Sequence, residues 1–178
     1  MLTVSGGSGA RIWETSSARL RFTLNHQGRI LAAAFSPDGR FVATAGANPA
    51  AQVWNTETGD AVTAGLNFEG VITQVAFSPG SRRLVTVSGS QAQVWDVRTG
   101  ERARCLAQHD GPITCASFSP DEQRLVTAGE DRTVRLWDIR TGRPLTPPLR
   151  HDAPVVQLVS SPDGCLLAAA GANRVQLW

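Results

Sequence analysis

The chain carries its apolar residues in short runs, each cut off by a cluster of Gly, Pro, Ser, Asn or Asp. Residues 109–142 show the pattern most clearly. Ile113–Phe118 reads as a strand. Ser119, Pro120, Asp121 and Glu122 form a turn, with the proline ring pre-set for the second turn position. Residues 125–128 make a second strand, residues 129–132 a tight turn, residues 133–137 a third strand, and Thr141 and Gly142 the next hairpin. A fourth strand follows around 144–149. Pro144, Pro147 and Pro148 cannot donate to a central ladder, which predicts that this strand lies outermost.

Successive side chains in a strand face opposite ways, so Val134 and Leu136 point to one face and Arg135 and Trp137 to the other. Both faces carry apolar bulk, and such a sheet needs a neighbour on each side. Radial stacking of small sheets provides this and keeps exposed edges short. No segment places apolar residues at i, i+3, i+4 and i+7, so no helix is predicted.

The pattern recurs. Tryptophan stands at 13, 54, 95, 137 and 178, with gaps of 41, 41, 42 and 41 residues. Ser-Pro stands at 36, 78, 119 and 161, with gaps of 42, 41 and 42. Two independent markers hold one period and one phase, which identifies a repeat array. Full units are predicted at 28–65, 70–107 and 111–150, with partial units at 1–24 and 153–178.

Trp95-Asp96 and Trp137-Asp138, with the near matches Trp54-Asn55 and Trp13-Glu14, resemble the signature of the WD-repeat family. So does the Phe-Ser-Pro-Asp-Gly turn at 35–39, varied at 77–80, 118–121 and 160–164. The resemblance covers the whole chain. It implies an all-β fold of propeller blades, each a four-stranded antiparallel sheet, here as an incomplete, open arc of a larger protein. It also implies a buried network of His, Ser or Thr, Asp and Trp in each blade. One unit has all four: His109, Thr127, Asp131 and Trp137. The first full unit has His26, Thr44, Asn48 in place of Asp, and Trp54. The second has Phe68 for His and Gly or Ser near 89 for Asp. The last has His151, Ala169 for the hydroxyl, Asn173 and Trp178.

A histidine, a hydroxyl and an aspartate could also form a hydrolase triad. Thr127 falls within a strand rather than on an exposed elbow, and no G-x-S-x-G occurs, so a structural pairing is expected and no catalytic residue is assigned. The buried indole N–H needs a partner in any case. Gly6, Gly7, Ser8 and Gly9 lack the rest of a phosphate-loop motif and read as a hairpin turn. The three histidines share one repeat position, so adjacent units separate them; no metal and no cofactor are expected.

Composition adds little. The 178 residues are 42% hydrophobic and 18% charged, as in ordinary globular chains. Seventeen basic and 15 acidic residues are interspersed, and no basic stripe points to nucleic acid. No apolar run reaches the ~20 residues of a membrane helix, and the first residues do not read as a signal peptide. Cys105, Cys115 and Cys165 fit neither a disulfide framework nor a metal knuckle; they predict reduced thiols and a cytoplasmic location. Every basic residue is Arg, which points to a GC-rich, bacterial coding sequence.

The family resemblance implies a scaffold for protein–protein interaction, contacted near the central channel. The matching positions here are Arg29, Leu31, Ala47, Val71, Thr73, Pro112, Thr114, Glu130, Pro154 and Val156. The implied partners are a protein or peptide and the missing repeats of the same chain. Similar bacterial repeats often follow a kinase or a nucleotide-binding signalling domain, which implies a regulatory module of a larger multidomain protein. Two other readings stay open: a purely structural, self-associating repeat, or an enzyme with a site at the propeller centre. The second would need carboxylates or histidines clustered on the inner loops.

Overall fold

A computed structural model describes residues 1–4, 9–48 and 50–178; most of the Gly6–Gly9 turn lies outside these. Among the described residues the chain is all-β, without a helix. Five antiparallel sheets follow one another along the chain. The first has three strands, β1 (Leu2–Val4), β2 (Gly9–Trp13) and β3 (Leu20–Asn25). Three four-stranded sheets come next. One holds β4 (Ile30–Phe35), β5 (Phe41–Gly46), β6 (Ala50–Asn55) and β7 (Leu66–Asn67). Another holds β8 (Gln74–Phe77), β9 (Arg83–Ser88), β10 (Gln91–Asp96) and β11 (Arg102–Gln108). A third holds β12 (Ile113–Phe118), β13 (Arg124–Gly129), β14 (Thr133–Asp138) and β15 (Leu149–Arg150). The last sheet has β16 (Gln157–Ser160), β17 (Leu167–Gly171) and β18 (Arg174–Leu177). None closes into a barrel.

Strand order in each sheet is the chain order, so the fourth strand is outermost. It is also broken. Trp137 bridges Pro144, and regular pairing resumes only at Leu149 and Arg150. Pro147 and Pro148 lie between these points and have no N–H to offer.

Among the described residues, four hydrophobic clusters hold the sheets together, and each lies between successive sheets. Ala10, Ile12 and Leu24 meet Ile30 and Val42. Ala43, Ala45, Ala51 and Val53 meet Val75, Leu84 and Trp95. Val85, Val87 and Val94 meet Phe118, Leu125 and Trp137. Val126, Ala128 and Val134 meet Val155, Leu167 and Ala169. Each middle sheet thus buries both faces, one on the sheet before it and one on the sheet after. No such cluster among the described residues joins the last sheet to the first.

Turn chemistry fixes the strand ends. Each Ser-Pro serine takes a backbone N–H five residues on, as Phe41 to Ser36 at 2.9 Å and Leu166 to Ser161 at 2.8 Å. The residue after Trp does the same for the next turn. Asp96 Oδ1 accepts from the N–H groups of Arg98 and Thr99 at 2.9 and 3.1 Å, and Asn55 Oδ1 accepts from Glu57 at 2.7 Å. Only an oxygen acceptor is needed, which explains why Asn55 can stand for Asp. That turn closes on a left-handed residue: Gly59, Gly100 and Gly142, but Ala18 (φ 54°) in the first sheet.

Candidate functional site

Two groups of residues carry the candidate function, and the second-to-third strand turns and inter-sheet loops position both. The inner strands β4, β8, β12 and β16 lie next to one another. Each enters with a buried anchor: Ile30, Ile72, Ile113 or Val155. The N–H of Ile72, Ile113 and Val155 donates to Gly46, Gly89 and Gly129 of the preceding sheet at 3.1, 2.8 and 3.2 Å. Glycine is required at Gly46 by the close approach of its own sheet's first strand, since a Cβ there would lie 2.0 Å from the Arg29 carbonyl.

The residue after each anchor is extra. Register slips between Ile30 and Ala32 and between Ile113 and Cys115, leaving Leu31 and Thr114 as bulge residues. Thr73 and Gln74 share Val87, and Val156 and Gln157 share Ala170, in the same manner. A bulge re-aims a side chain. Leu31, Thr73 and Val156 are exposed, as are Arg29, Ala47, Val71, Pro112, Glu130 and Pro154. Thr114 is half-buried and donates to Val155 O of the neighbouring strand. The structure therefore sets these positions at one end of four adjacent strands.

The second group is the polar network. His109 Nδ1 lies 2.9 and 3.1 Å from the Asp131 carboxylate, and its Nε2 lies 2.7 Å from Thr127 Oγ1. Trp137 donates its indole N–H to the same hydroxyl at 2.9 Å. Asp131 also accepts from Thr133 N at 3.0 Å and Thr133 Oγ1 at 2.8 Å. Burial lowers the His109 pKa, though its bond to Asp131 opposes this. Burial pushes the Asp131 carboxyl up, but bonds from His109 and Thr133 outweigh that and hold it below its ordinary value.

These distances match those of a catalytic triad, and the surroundings decide against one. Thr127 is fully buried, and one of its lone pairs is taken by the indole. No substrate carbonyl can reach it, and the hydroxyl proton serves to orient the ring. Among the described residues no group of three or more His, Cys, Asp and Glu could hold a metal. Burial pushes the Cys115 thiol up, away from the reactive thiolate.

The other sheets keep part of the network. Thr44 Oγ1 accepts from Trp54 at 2.8 Å and lies 3.1 Å from His26, but on the Nδ1 side. Asn48 is a correction to the expected set: no hydrogen bond joins it to His26 among the described residues, and His26 Nε2 is buried without a partner. Its ring has turned its other nitrogen to the hydroxyl. In the next sheet Trp95 donates to Thr86 at 2.9 Å, and Phe68 meets the Trp95 ring edge-on at 6.4 Å. Trp13 donates to Thr3 at 2.8 Å. In the last sheet His151 Nδ1 lies 2.9 Å from Ala153 O, and Ala169 offers no hydroxyl.

Thr3 and Thr86 were not expected, although their signal was available: residues 3, 44, 86, 127 and 169 share one repeat position. Arg135 was missed as well. It donates to Gln108 O at 3.0 Å and pairs with Asp110 and Asp131, closing the network from outside.

Comparison with known proteins agrees with this geometry. Residues 18–55, 66–96, 100–138 and 143–178 match the family described as WD domain, G-beta repeat. Over 76 residues the chain is 33% identical to the eukaryotic translation initiation factor 3 subunit I of Aspergillus fumigatus, in each of two strains. The stretch is 43% of this chain and spans 22% of the length of those relatives.

Proposed function

The chain belongs to the WD-repeat family, and from that premise we propose that it is a non-catalytic scaffold that binds a protein or peptide across the inner-strand ends. One observation carries the reading. Leu31, Val71 and Val156 are 45%, 46% and 67% exposed, and all three flank buried anchors at the same end of the row of inner strands, Leu31 and Val71 on neighbours and Val156 beyond β12. Solvent-facing apolar side chains gathered at one place mark an interaction surface. Arg29 and Glu130 would give its rim polarity and register. WD repeats generally mediate protein association, and the family is generally non-catalytic. The fungal relatives are named as a subunit, a protein that acts within an assembly.

The finer reading is that of a regulatory module in a larger, multidomain, cytoplasmic protein of bacterial origin. Its supports are the all-Arg basic content and the free thiols of Cys115 and Cys165.

A second reading has its own support, in the outward face of the last sheet. Val134 and Leu136 of β14 correspond to Val175 and Leu177 of β18. Val134 is fully buried by the following sheet, whereas Val175 and Leu177 are each 67% exposed. A further repeat of the same kind is the natural cover, from the same polypeptide or from a second copy.

The test for the scaffold is a pair of substitutions, Leu31→Asp with Val71→Asp, against Arg98→Asp at the opposite end of the sheets. In the source cell, the first pair should remove the co-purifying partner at an unchanged melting temperature, and Arg98→Asp should leave it. Retention of the same partner by the double variant sinks the reading.

A further inference from the structure

The outer side of each tryptophan strand differs between the three four-stranded sheets in one respect: where a guanidinium comes from. In the sheet of β12–β15, Arg135 supplies it. Its Nη1 donates to Gln108 O at 3.0 Å, its Nε lies 3.2 Å from Thr133 Oγ1, and its Nη2 pairs with Asp110 and Asp131. In the sheet of β8–β11 the matching residue is Gln93, which donates to Ala103 O instead at 2.9 Å. There the guanidinium arrives from the neighbouring strand. Arg102, paired opposite Trp95, lies 5.0 Å over the Trp95 ring and donates to Asn67 O. Asn67 and Gln108 are equivalent; each immediately precedes the network position, Phe68 or His109.

The sheet of β4–β7 has neither source. Gln52, at the Arg135 position, donates to Thr63 O at 2.6 Å. Ala61, at the Arg102 position, bridges Trp54 and has no side chain to cover it. The corresponding space is a cavity of about 350 Å³, lined by Asn25, His26, Asn48, Gln52, Trp54 and Asn67. Trp54 is half-buried, whereas Trp95 and Trp137 are only 3% and 7% exposed. His26 borders the same cavity, is 6% exposed, and its Nε2 has no partner.

We propose that this cavity binds the guanidinium of an arginine side chain presented by a partner peptide. The indole of Trp54 takes the guanidinium face, as Trp95 takes that of Arg102. The amide oxygens around it accept the in-plane donors, Asn25 standing where Gln108 and Asn67 stand in the other sheets. His26 brings a buried, unpartnered Nε2 to the same cavity, and the Thr44 hydroxyl, which accepts from the Trp54 indole, lies against the other ring nitrogen. Burial lowers the His26 pKa, which disfavours a competing positive charge beside the guanidinium. A planar, weakly hydrated guanidinium fits this arrangement; a compact, strongly hydrated ammonium does not. The site rests on the reading of the chain as a partner-binding platform, but uses none of the inner-strand residues assigned there.

The test is nuclear magnetic resonance of the indole N–H signals of the full 178-residue chain, with the Trp54 signal assigned through Trp54→Phe. The probes are three acetylated, amidated tripeptides, Gly-Arg-Gly and its lysine and citrulline counterparts. The arginine peptide should shift the Trp54 signal, and the other two should leave it in place. Ala61→Arg puts a guanidinium opposite Trp54, as Arg102 stands opposite Trp95, and should abolish the shift; Gln52→Arg, which copies Arg135, should do the same. The other indole signals report that each variant is folded. An unmoved Trp54 signal with the arginine peptide, an equal response to citrulline, or a folded Ala61→Arg or Gln52→Arg variant that still responds would overturn the proposal. Loss of a protein partner from the Leu31→Asp, Val71→Asp variant, with the arginine response intact, bears on the scaffold reading alone.

Discussion

His109 Nδ1 lies 2.9 Å from Asp131 Oδ2, inside a sheet where both side chains are almost fully buried. Removing one partner of such a pair leaves the other desolvated and unpaired. Asp131→Ala should therefore destabilise the chain by about 1–3 kcal/mol. Asn48→Ala should fall within about 0.5 kcal/mol of the parent, since Asn48 makes no bond to His26. Urea or thermal melts read both, and a larger loss at Asn48 contradicts the network as described.

Acid should weaken the fold in two stages. Burial, the largest influence on both rings, puts the folded pKa of His26 and His109 below the ordinary 6.5. The unfolded chain then binds protons that the folded chain does not, so stability is full above 6.5 and falls as the pH drops through the folded values. The Asp131 carboxyl is also lowered, from 3.8, so its contribution is present above 3.8 and is lost below it. Melting temperatures from pH 8 downward should stay level, decline below 6.5 and drop again under 3.8. The double variant His26→Phe, His109→Phe should lack the first decline, and Phe68 shows that a blade accommodates this ring. A parent curve that is level through the histidine range would contradict the account.

Thr127 should be chemically inert despite its distances to His109 and Trp137. A fluorophosphonate probe analysed by intact mass should leave the folded chain unlabelled, since the hydroxyl is fully buried. Stoichiometric labelling at Thr127 would reverse the reading of the network.

Repetition made the fold legible. A single Trp or Ser-Pro says little, but their shared phase fixes where strands, turns and inter-sheet faces fall. The His109 network was legible for the same reason, because all four residue types sit at fixed repeat positions. What escaped was whatever depends on side-chain direction. Asn48 has the right position, yet the His26 ring turns Nδ1 rather than Nε2 to Thr44. Arg102 and Arg135 reach equivalent carbonyls from different strands, which no position-by-position comparison of repeats reveals. The bulges at Leu31 and Thr114 also leave no mark in the apolar pattern, because the extra residue lies at the strand entrance.

The outward face of the last sheet should be adhesive. Val159, Val175 and Leu177 are 54%, 67% and 67% exposed there. Sedimentation velocity of the chain should show mass rising with concentration, and Val175→Glu with Leu177→Glu should suppress the rise. A strictly monomeric parent at all concentrations would show that this face needs no cover.

The scaffold claim is tested most directly by a photo-activated cross-linking residue placed singly at Thr73, Glu130 or Thr99 and irradiated in the source cell. Thr73 and Glu130 lie at the inner-strand entrance, and Thr99 lies in the turn at the opposite end of the sheets. The account predicts one and the same cross-linked protein from Thr73 and Glu130, and none from Thr99. Cross-links from Thr99 alone, or equal yields from all three, would contradict it.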